Sequence, residues 1–303
     1  MPPTASLDEV LELVPECAGP RTVTELPGGL TNANHKVVAD ACAYVVRRWS
    51  DDTGLLAIDR DNEHWNSVRA AETGVGAPVI AYLPDLNAMV FEFIEGRTMS
   101  PADLRGGDHM ARVADACRRL HAGRPFRDDF DMFETQPRYL RIVRERGFRL
   151  PERYLEYAAH VAAVRDALAV RAEPPVPCNN DLLAENFILV ADGFRLIDYE
   201  YSGNNDACFE LGNVWSESDL SLAQLEQLVA AYYGRPLRHK VARARLWGLM
   251  SKYGWTLWGS IQDGVSDIDF DFWAWSLDKF ERAVAEFDAP DFERLLDEAR
   301  RSD

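Results

Sequence analysis

The 303-residue chain contains no apolar run approaching the ~18 residues of a membrane-spanning helix, and it has no internal repeat. Cysteine is scarce and scattered: Cys17, Cys42, Cys117, Cys178 and Cys208 are odd in number and form no CxxC pair. That argues against a disulfide framework and against a zinc site, and it fits a reducing cytosol. Cationic charge is in deficit, with 33 Lys and Arg against 50 Asp and Glu, for a formal net charge of -17. Such a chain repels phosphate backbones and anionic headgroups, so nucleic acid and membrane insertion are not expected, whereas a cationic substrate suits it. The opening MPPTASLDEV has neither a basic stretch nor an apolar one, so no signal peptide is expected and the compartment reads as cytoplasmic.

What is present divides the chain unevenly. Hydrophobic residues make up 47% of the sequence, enough for one large domain or two modest ones. Residues 1–95 read as a small mixed lobe. A short helix over Leu7–Val14 precedes strands over Thr22–Leu26, His35–Val38 and Ala43–Trp49. A helix over Asp59–Glu72 follows, capped by Asp59 and ended by Gly74, and then strands Val79–Leu83 and Ala88–Phe93. Residues 96–303 read as mainly helical, with helices over Asp108–Ala122, Arg138–Arg146, Glu152–Val170, Leu220–Tyr233, Leu237–Ile261, Phe272–Glu286 and Asp291–Arg300. One β-rich island, Val176 to Asp198, interrupts them, with a hairpin of Phe187–Val190 and Phe194–Ile197 about Ala191-Asp192-Gly193. The expected class is α+β: a small antiparallel-sheet lobe and a helical lobe holding one hairpin.

The island carries the strongest chemical signal. Phosphoryl transfer to a hydroxyl needs a carboxylate that orients the hydroxyl and accepts its proton, and oxygen ligands for Mg²⁺ beside the β- and γ-phosphates. Kinase catalytic loops space the base and a metal ligand as D-x-x-x-x-N, the spacing of Asp181 and Asn186. Asp198 ends the second strand of the hairpin, where the second ligand belongs. Any one of these alone is an ordinary turn former; the three in this order between strands read as a site. The segments Cys178-Asn179-Asn180-Asp181-Leu182-Leu183 with Asn186, Ile197-Asp198-Tyr199-Glu200-Tyr201, and Phe209-Glu210-Leu211-Gly212-Asn213 with Glu217 resemble the choline/ethanolamine kinase family, within the aminoglycoside phosphotransferase-like, protein-kinase-like superfamily. The family motifs are C-H-N-D-L-L-x-x-N, I-D-Y/F-E-Y and F-D-x-G-N-x-x-x-E. The resemblance implies a two-lobed protein-kinase-like fold, ATP and Mg²⁺ as cofactors, Asp181 as catalytic base, and Asn186 and Asp198 as metal ligands. Asn179 stands where the family has His. An Asn side chain also offers a donor and an acceptor.

On the nucleotide side, Gly28-Gly29-Leu30-Thr31-Asn32 lies between two strands, where glycines let backbone N–H groups approach phosphates. A bare hairpin turn would look the same, and a full G-x-G-x-x-G is missing; the segment resembles the family's G-G-[LMI]-[ST]-N loop. By the same resemblance Arg47 is the cation over the α- and β-phosphates, Glu63 its carboxylate partner, and Phe91-Glu92-Phe93 the strand whose backbone meets adenine, with Phe93 at the site.

On the acceptor side, Trp247, Trp255, Trp258, Ser251 and Gln262 gather on a face of the long helix away from its Leu246, Met250, Tyr253, Leu257 and Ile261 stripe. A neighbouring helix would explain this second face. Tyr253-Gly254-Trp255-Thr256-Leu257-Trp258 with Gln262, and Ile268-Asp269-Phe270-Asp271-Phe272 with Trp275 and Phe280, resemble the family segments F-F-W-G-L-W-S-x-x-Q and I-E-F-x-Y-x-x-Y-x-x-x-x-F. The resemblance implies an aromatic cage of Tyr201, Trp255, Trp258 and Trp275 for an ammonium group, with Glu217 as the nearby acid; Leu222 sits near a position where the family has a further tyrosine. The expected partners are ATP and a small cationic alcohol, most simply choline or ethanolamine, and a homodimer is admitted. An aminoglycoside-type, thiamine-like or sugar kinase is the neighbouring reading, and an inactive nucleotide-binding pseudokinase the rival of another class.

Overall fold

The computed structural model describes residues 6–27 and 29–302, with residues 51–53 followed as backbone only. Gly28, expected in the phosphate loop, lies outside the described residues. Ser6 opens α1 (Leu7–Glu12) with reciprocal capping: its hydroxyl accepts from Glu9 N, and the Glu9 carboxylate accepts from Ser6 N. The strands β1 (Arg21–Leu26), β2 (Asn32–Ala39), β3 (Cys42–Trp49), β4 (Val79–Leu83) and β5 (Ala88–Glu92) form one antiparallel sheet in the order β1-β2-β3-β5-β4. Val10 and Leu11 of α1 pack with Val37, Val46, Ala88 and Val90 of the sheet into a small apolar core of their own. The expected five strands are all present.

Helix α2 (Arg60–Glu72) starts at the expected cap, where the Asp59 carboxylate accepts from Asn62 N. Although α2 precedes β4 in sequence, its polar face is turned to the large lobe. Asn62 Nδ2 and Asn66 Nδ2 both donate to the Ser202 carbonyl oxygen, at 3.0 and 3.1 Å, and Asn66 Oδ1 accepts from Arg127 N at 3.0 Å.

The large lobe contains β6 (Arg97–Thr98), α3 (Pro101–Gly106), α4 (Met110–His121), α5 (Met132–Arg146), α6 (Ala158–Ala169), β7 (Val176–Cys178), β8 (Phe187–Val190), β9 (Gly193–Leu196), β10 (Gly203–Asn205), α7 (Ala207–Glu217), α8 (Leu222–Tyr233), α9 (Arg238–Val265), α10 (Phe272–Phe287) and α11 (Phe292–Arg300). The expected hairpin is β8–β9, edged by β6, and β10 pairs with β7. A second, larger apolar cluster fills this lobe.

Helix α5 begins six residues earlier than the sequence suggests, with Pro137 inside it. Proline has no N–H for the Phe133 carbonyl, which is why a helix was expected only from Arg138. The structure fills the gap from outside the helix: Arg165 donates to the Phe133 carbonyl oxygen at 3.3 Å, and Asp131 caps Phe133 N at 2.8 Å. The expected Asp108–Ala122 and Glu152–Val170 helices begin at Met110 and Ala158, and a short 3₁₀ turn, Tyr154–Tyr157, leads into the second.

Helix α9 is the spine of the lobe. It lies so close to α7 that a Cβ on Gly212 would collide with the Ala244 carbonyl, and one on Gly248 would come within 2.6 Å of the Gly212 carbonyl oxygen. This crossing holds the tryptophans of α9 against the loop that precedes α7. It also traps Lys252, only 4% exposed, with its ammonium 4.1 Å from the centre of the Trp215 ring. Burial lowers the Lys252 ammonium to about 8. The unfolded chain keeps this proton to higher pH than the folded chain does, so stability should rise between about pH 8 and 10 as the proton is lost. Lys252→Met should therefore unfold several degrees higher than wild type at pH 7, by on the order of 2 kcal/mol. The margin should narrow at pH 9.5; thermal melts at the two pH values measure it.

Candidate active site

Asp181, Asn186 and Asp198 come from three places in the chain, and side-chain bonds hold them together. Asn186 Nδ2 donates to the Asp181 carbonyl oxygen at 2.7 Å, and the Asn186 carbonyl accepts from Ile197 N at 3.0 Å. Asn179 completes the joint. Its Nδ2 donates to the carbonyl oxygens of Ile197 and Asp198, at 3.2 and 2.7 Å, and its Oδ1 accepts from Asp181 N at 3.1 Å. Fully buried, it uses both ends of its amide to join the loop to the strand end.

The loop is held from below by Glu210, which the sequence reading left without a role. Its two carboxylate oxygens each accept a backbone N–H, from Asn179 and Asn180, both at 2.9 Å. Asn213 Oδ1 accepts from Leu182 N, and its Nδ2 donates to Ser251 on α9. His121, Cys178 and Glu210 bring one ligand-type atom each within 4.8 Å of one another. Both Glu210 oxygens are already engaged by the loop, so the cluster serves as scaffolding. Asn180 and Asp198 adopt φ of 66° and 64°, a left-handed conformation costly for residues with a Cβ and kept only where surrounding bonds enforce it.

Carboxylates crowd this point. Burial raises the Asp181 carboxyl well above its usual range, and neighbouring Asp198, Glu217 and Glu200 raise it further, with Lys279 acting in the opposite sense. The donor set is hard oxygen: the Asp198 carboxylate, and the Oδ1 of Asn186, whose Nδ2 is spent on Asp181. Such a set, in a surplus of negative charge, fits a small divalent cation.

Arg47 and Glu63 are paired as expected, at 2.8 Å, and the same Arg47 nitrogen reaches Asp198 Oδ1, also at 2.8 Å. Burial alone would lower the Arg47 pKa, but Asp198, Glu63 and Glu200 more than reverse this and fix its charge. Two further charges that the sequence reading missed join the network. Arg60 donates to Glu63 at 2.6 Å and to Asn32 Oδ1 at 2.8 Å. Glu200 accepts from Thr31 Oγ1 at 3.0 Å, from Asn32 Nδ2 at 2.9 Å and from Arg60 at 3.4 Å. Burial, then Asp198, pushes the Glu200 carboxyl up to about 7 against the opposing pull of Arg60. Thr31 and Asn32 therefore turn their side chains to Glu200. Gly29 suits this tight turn, since a Cβ there would run into the Asn32 carbonyl. Phe93 lies one residue beyond β5; its N–H donates to the Ala43 carbonyl, and its ring carries the Lys36 ammonium at 3.6 Å.

The four expected cage aromatics form one wall. The rings of Tyr201 and Trp255 are 4.8 Å apart, Trp258 Nε1 donates to the Tyr201 hydroxyl at 2.7 Å, and Trp258 and Trp275 are 5.3 Å apart. Asn180 Nδ2 donates to the Tyr201 carbonyl at 3.1 Å, which joins this wall to the loop that bears Asp181. Glu217 is not an open carboxylate: it pairs with Lys279 at 2.5 Å, and that ammonium lies 4.4 Å from the centre of the Trp275 ring. Leu222 is 46% exposed at the start of α8. Glu200 and Gln262 were in view within quoted motifs. Glu210 was likewise in view within a quoted motif, whereas Arg60 and Lys279 had no local signal, because their partners lie far along the chain.

A profile of the family described as choline/ethanolamine kinase matches residues 23–228. Ethanolamine kinase 2 of Rattus norvegicus is 26% identical over 267 residues, covering 78% of this chain and 68% of its own. The crystal structure of a choline/ethanolamine kinase family protein from Mesorhizobium loti is 32% identical, covers 97% of this chain and 98% of its own, and superposes with a TM-score of 0.83. The structure of LicA in complex with AMP shares the fold, at 21% identity and a TM-score of 0.74 over 92% of this chain and 97% of its own. Aminoglycoside 2'-phosphotransferase-IIIa shares the kinase-like plan more distantly, at 14% identity and a TM-score of 0.62 over 87% of this chain and 92% of its own.

Proposed function

We propose, from the premise that this chain belongs to the choline/ethanolamine kinase family and is an ATP-using phosphotransferase, that it phosphorylates the hydroxyl of choline or ethanolamine. The observation that carries the choice of acceptor is the continuous wall of Tyr201, Trp255, Trp258 and Trp275, bonded through Asn180 to the loop that bears Asp181. A quaternary ammonium cannot donate a hydrogen bond, so aromatic faces are the natural source of its affinity, at roughly 0.5–2 kcal/mol each when desolvated.

In this reading the two lobes divide the work, with residues 1–95 on the nucleotide and 96–303 on catalysis and the acceptor. Asp181 accepts the hydroxyl proton as the oxygen attacks the γ-phosphorus and ADP departs. Its raised affinity for a proton suits that task, and the arriving ammonium lowers it again by charge. Arg47, fixed by Glu63, faces the phosphates together with the backbone of the Gly28–Asn32 loop, while the backbone beside Phe93 meets adenine. Asn186 and Asp198 would hold Mg²⁺, which supplies neutralisation of the β- and γ-oxygens. Arg47 bridges Glu63 and Asp198 through one nitrogen, which sets the guanidinium beside the residues that would hold the ion. Catalysis then rests on alignment and charge stabilisation. A cytoplasmic setting belongs to the same proposal; no helix among the described residues is long and apolar enough to cross a membrane.

A coupled ADP-release assay over choline, ethanolamine, thiamine and an aminoglycoside tests the assignment. Turnover should be confined to the small amino alcohols. An aminoglycoside preference would move the chain to the neighbouring reading, and ATP binding without turnover of any acceptor would make it a pseudokinase.

A further inference from the structure

The Gly29–Asn32 loop belongs to the small lobe by sequence, yet it is bonded to the large one. The Leu30 side chain packs against the large-lobe apolar cluster. The Leu30 carbonyl oxygen accepts from Gln262 Nε2 at 3.0 Å, and Thr31 and Asn32 are held by Glu200. Gln262 is 4% exposed and lies on α9 four residues after Trp258, so the two share a helix face. One rigid helix thus carries the acceptor wall on one turn and a bond to the phosphate-loop backbone on the next.

We propose that Gln262 is a positioning residue that couples the two substrates: it holds the loop down in the same arrangement that completes the acceptor wall, so amino alcohol and ATP each tighten the binding of the other. This rests on the amino-alcohol reading above. The bond requires α9 and the loop to be in register. An acceptor packed on Trp258 favours that register from one side, and a triphosphate under the loop favours it from the other. A ligand shifts such an equilibrium only by its preference for one arrangement, and the effect is reciprocal between the two sites. One amide-to-carbonyl bond sets the scale at about three- to tenfold in affinity.

The test is calorimetric titration of a non-hydrolysable ATP analogue with Mg²⁺, with and without saturating ethanolamine or choline. Wild type should bind the analogue at least about threefold more tightly with acceptor present. Gln262→Met, of similar length and without a donor, should lose this gain and lose kcat while melting close to wild type. Thr31→Val removes a bond to Glu200, not to α9; it should weaken the analogue in both conditions and keep the gain. Retention of the full gain in Gln262→Met, or its loss in Thr31→Val alone, overturns the assignment. If Gln262→Met does not fold, Gln262→Leu, which is apolar and lacks the donor, takes its place under the same criteria. Acceptor binding that leaves nucleotide affinity unchanged in wild type removes the coupling but not the kinase reading. Failure of both amino alcohols to bind at all removes the acceptor reading and this proposal with it.

Discussion

Asp181→Ala should lower kcat by roughly a hundred- to ten-thousandfold, the contribution of a positioned general base, while the affinity for ATP stays within about threefold of wild type. The structure makes this a clean substitution. Asp181 binds its neighbours through the backbone, its N–H to Asn179 and its carbonyl to Asn186, and alanine keeps both bonds. What is lost is one carboxylate from a crowd that includes Asp198, Glu200 and Glu217. Relief of that repulsion should leave the melting temperature equal to or above wild type, the usual relation between a strained functional group and stability. Single-turnover kinetics, nucleotide titration and a thermal melt together measure it. Turnover near that of wild type would remove Asp181 from the base role.

Trp255→Ala should raise the KM for the amino alcohol by roughly 3- to 30-fold, the worth of one desolvated cation–π face, and leave the KM for ATP little changed. Trp255 is 4% exposed and packs on Tyr201, Tyr139 and Phe130, so its loss should also destabilise the fold by about 3–5 kcal/mol. Trp275 is only half-buried, so Trp275→Ala should give the KM effect with a much smaller fall in melting temperature. Equal rises in both KM values for Trp275→Ala would make these rings structural and nothing more. Steady-state kinetics with either substrate varied, alongside denaturant melts, separate the outcomes.

Much of the plan can be read from the chain because its signals are local. The β8–β9 hairpin, the five small-lobe strands and the long α9 follow from periodicity and turn residues, and Asp181, Asn186 and Asp198 from spacing. What escaped depends on distant partners. Proline signals a helix break at position 137, but the remedy is Arg165, 28 positions along the chain. The strand Gly203–Asn205 is made of residues that disfavour strands, and it exists because β7 pairs with it. Glu217 looks like a free acid until Lys279 is found against it. Asn179 looks like a lost histidine until its three bonds are counted. Glu200 stood in plain view in a motif, yet its purpose depends on Thr31, Asn32 and Arg60, all in the other lobe.

The asparagine contacts of α2 bear on how such a molecule breathes. With Asn62 and Asn66 bonded to Ser202, and Arg127 bonded to Asn66, the helix that carries Glu63 is tied to the large lobe. Separating the two lobes must therefore break these bonds together with those that hold Leu30, Thr31 and Asn32 to the large lobe.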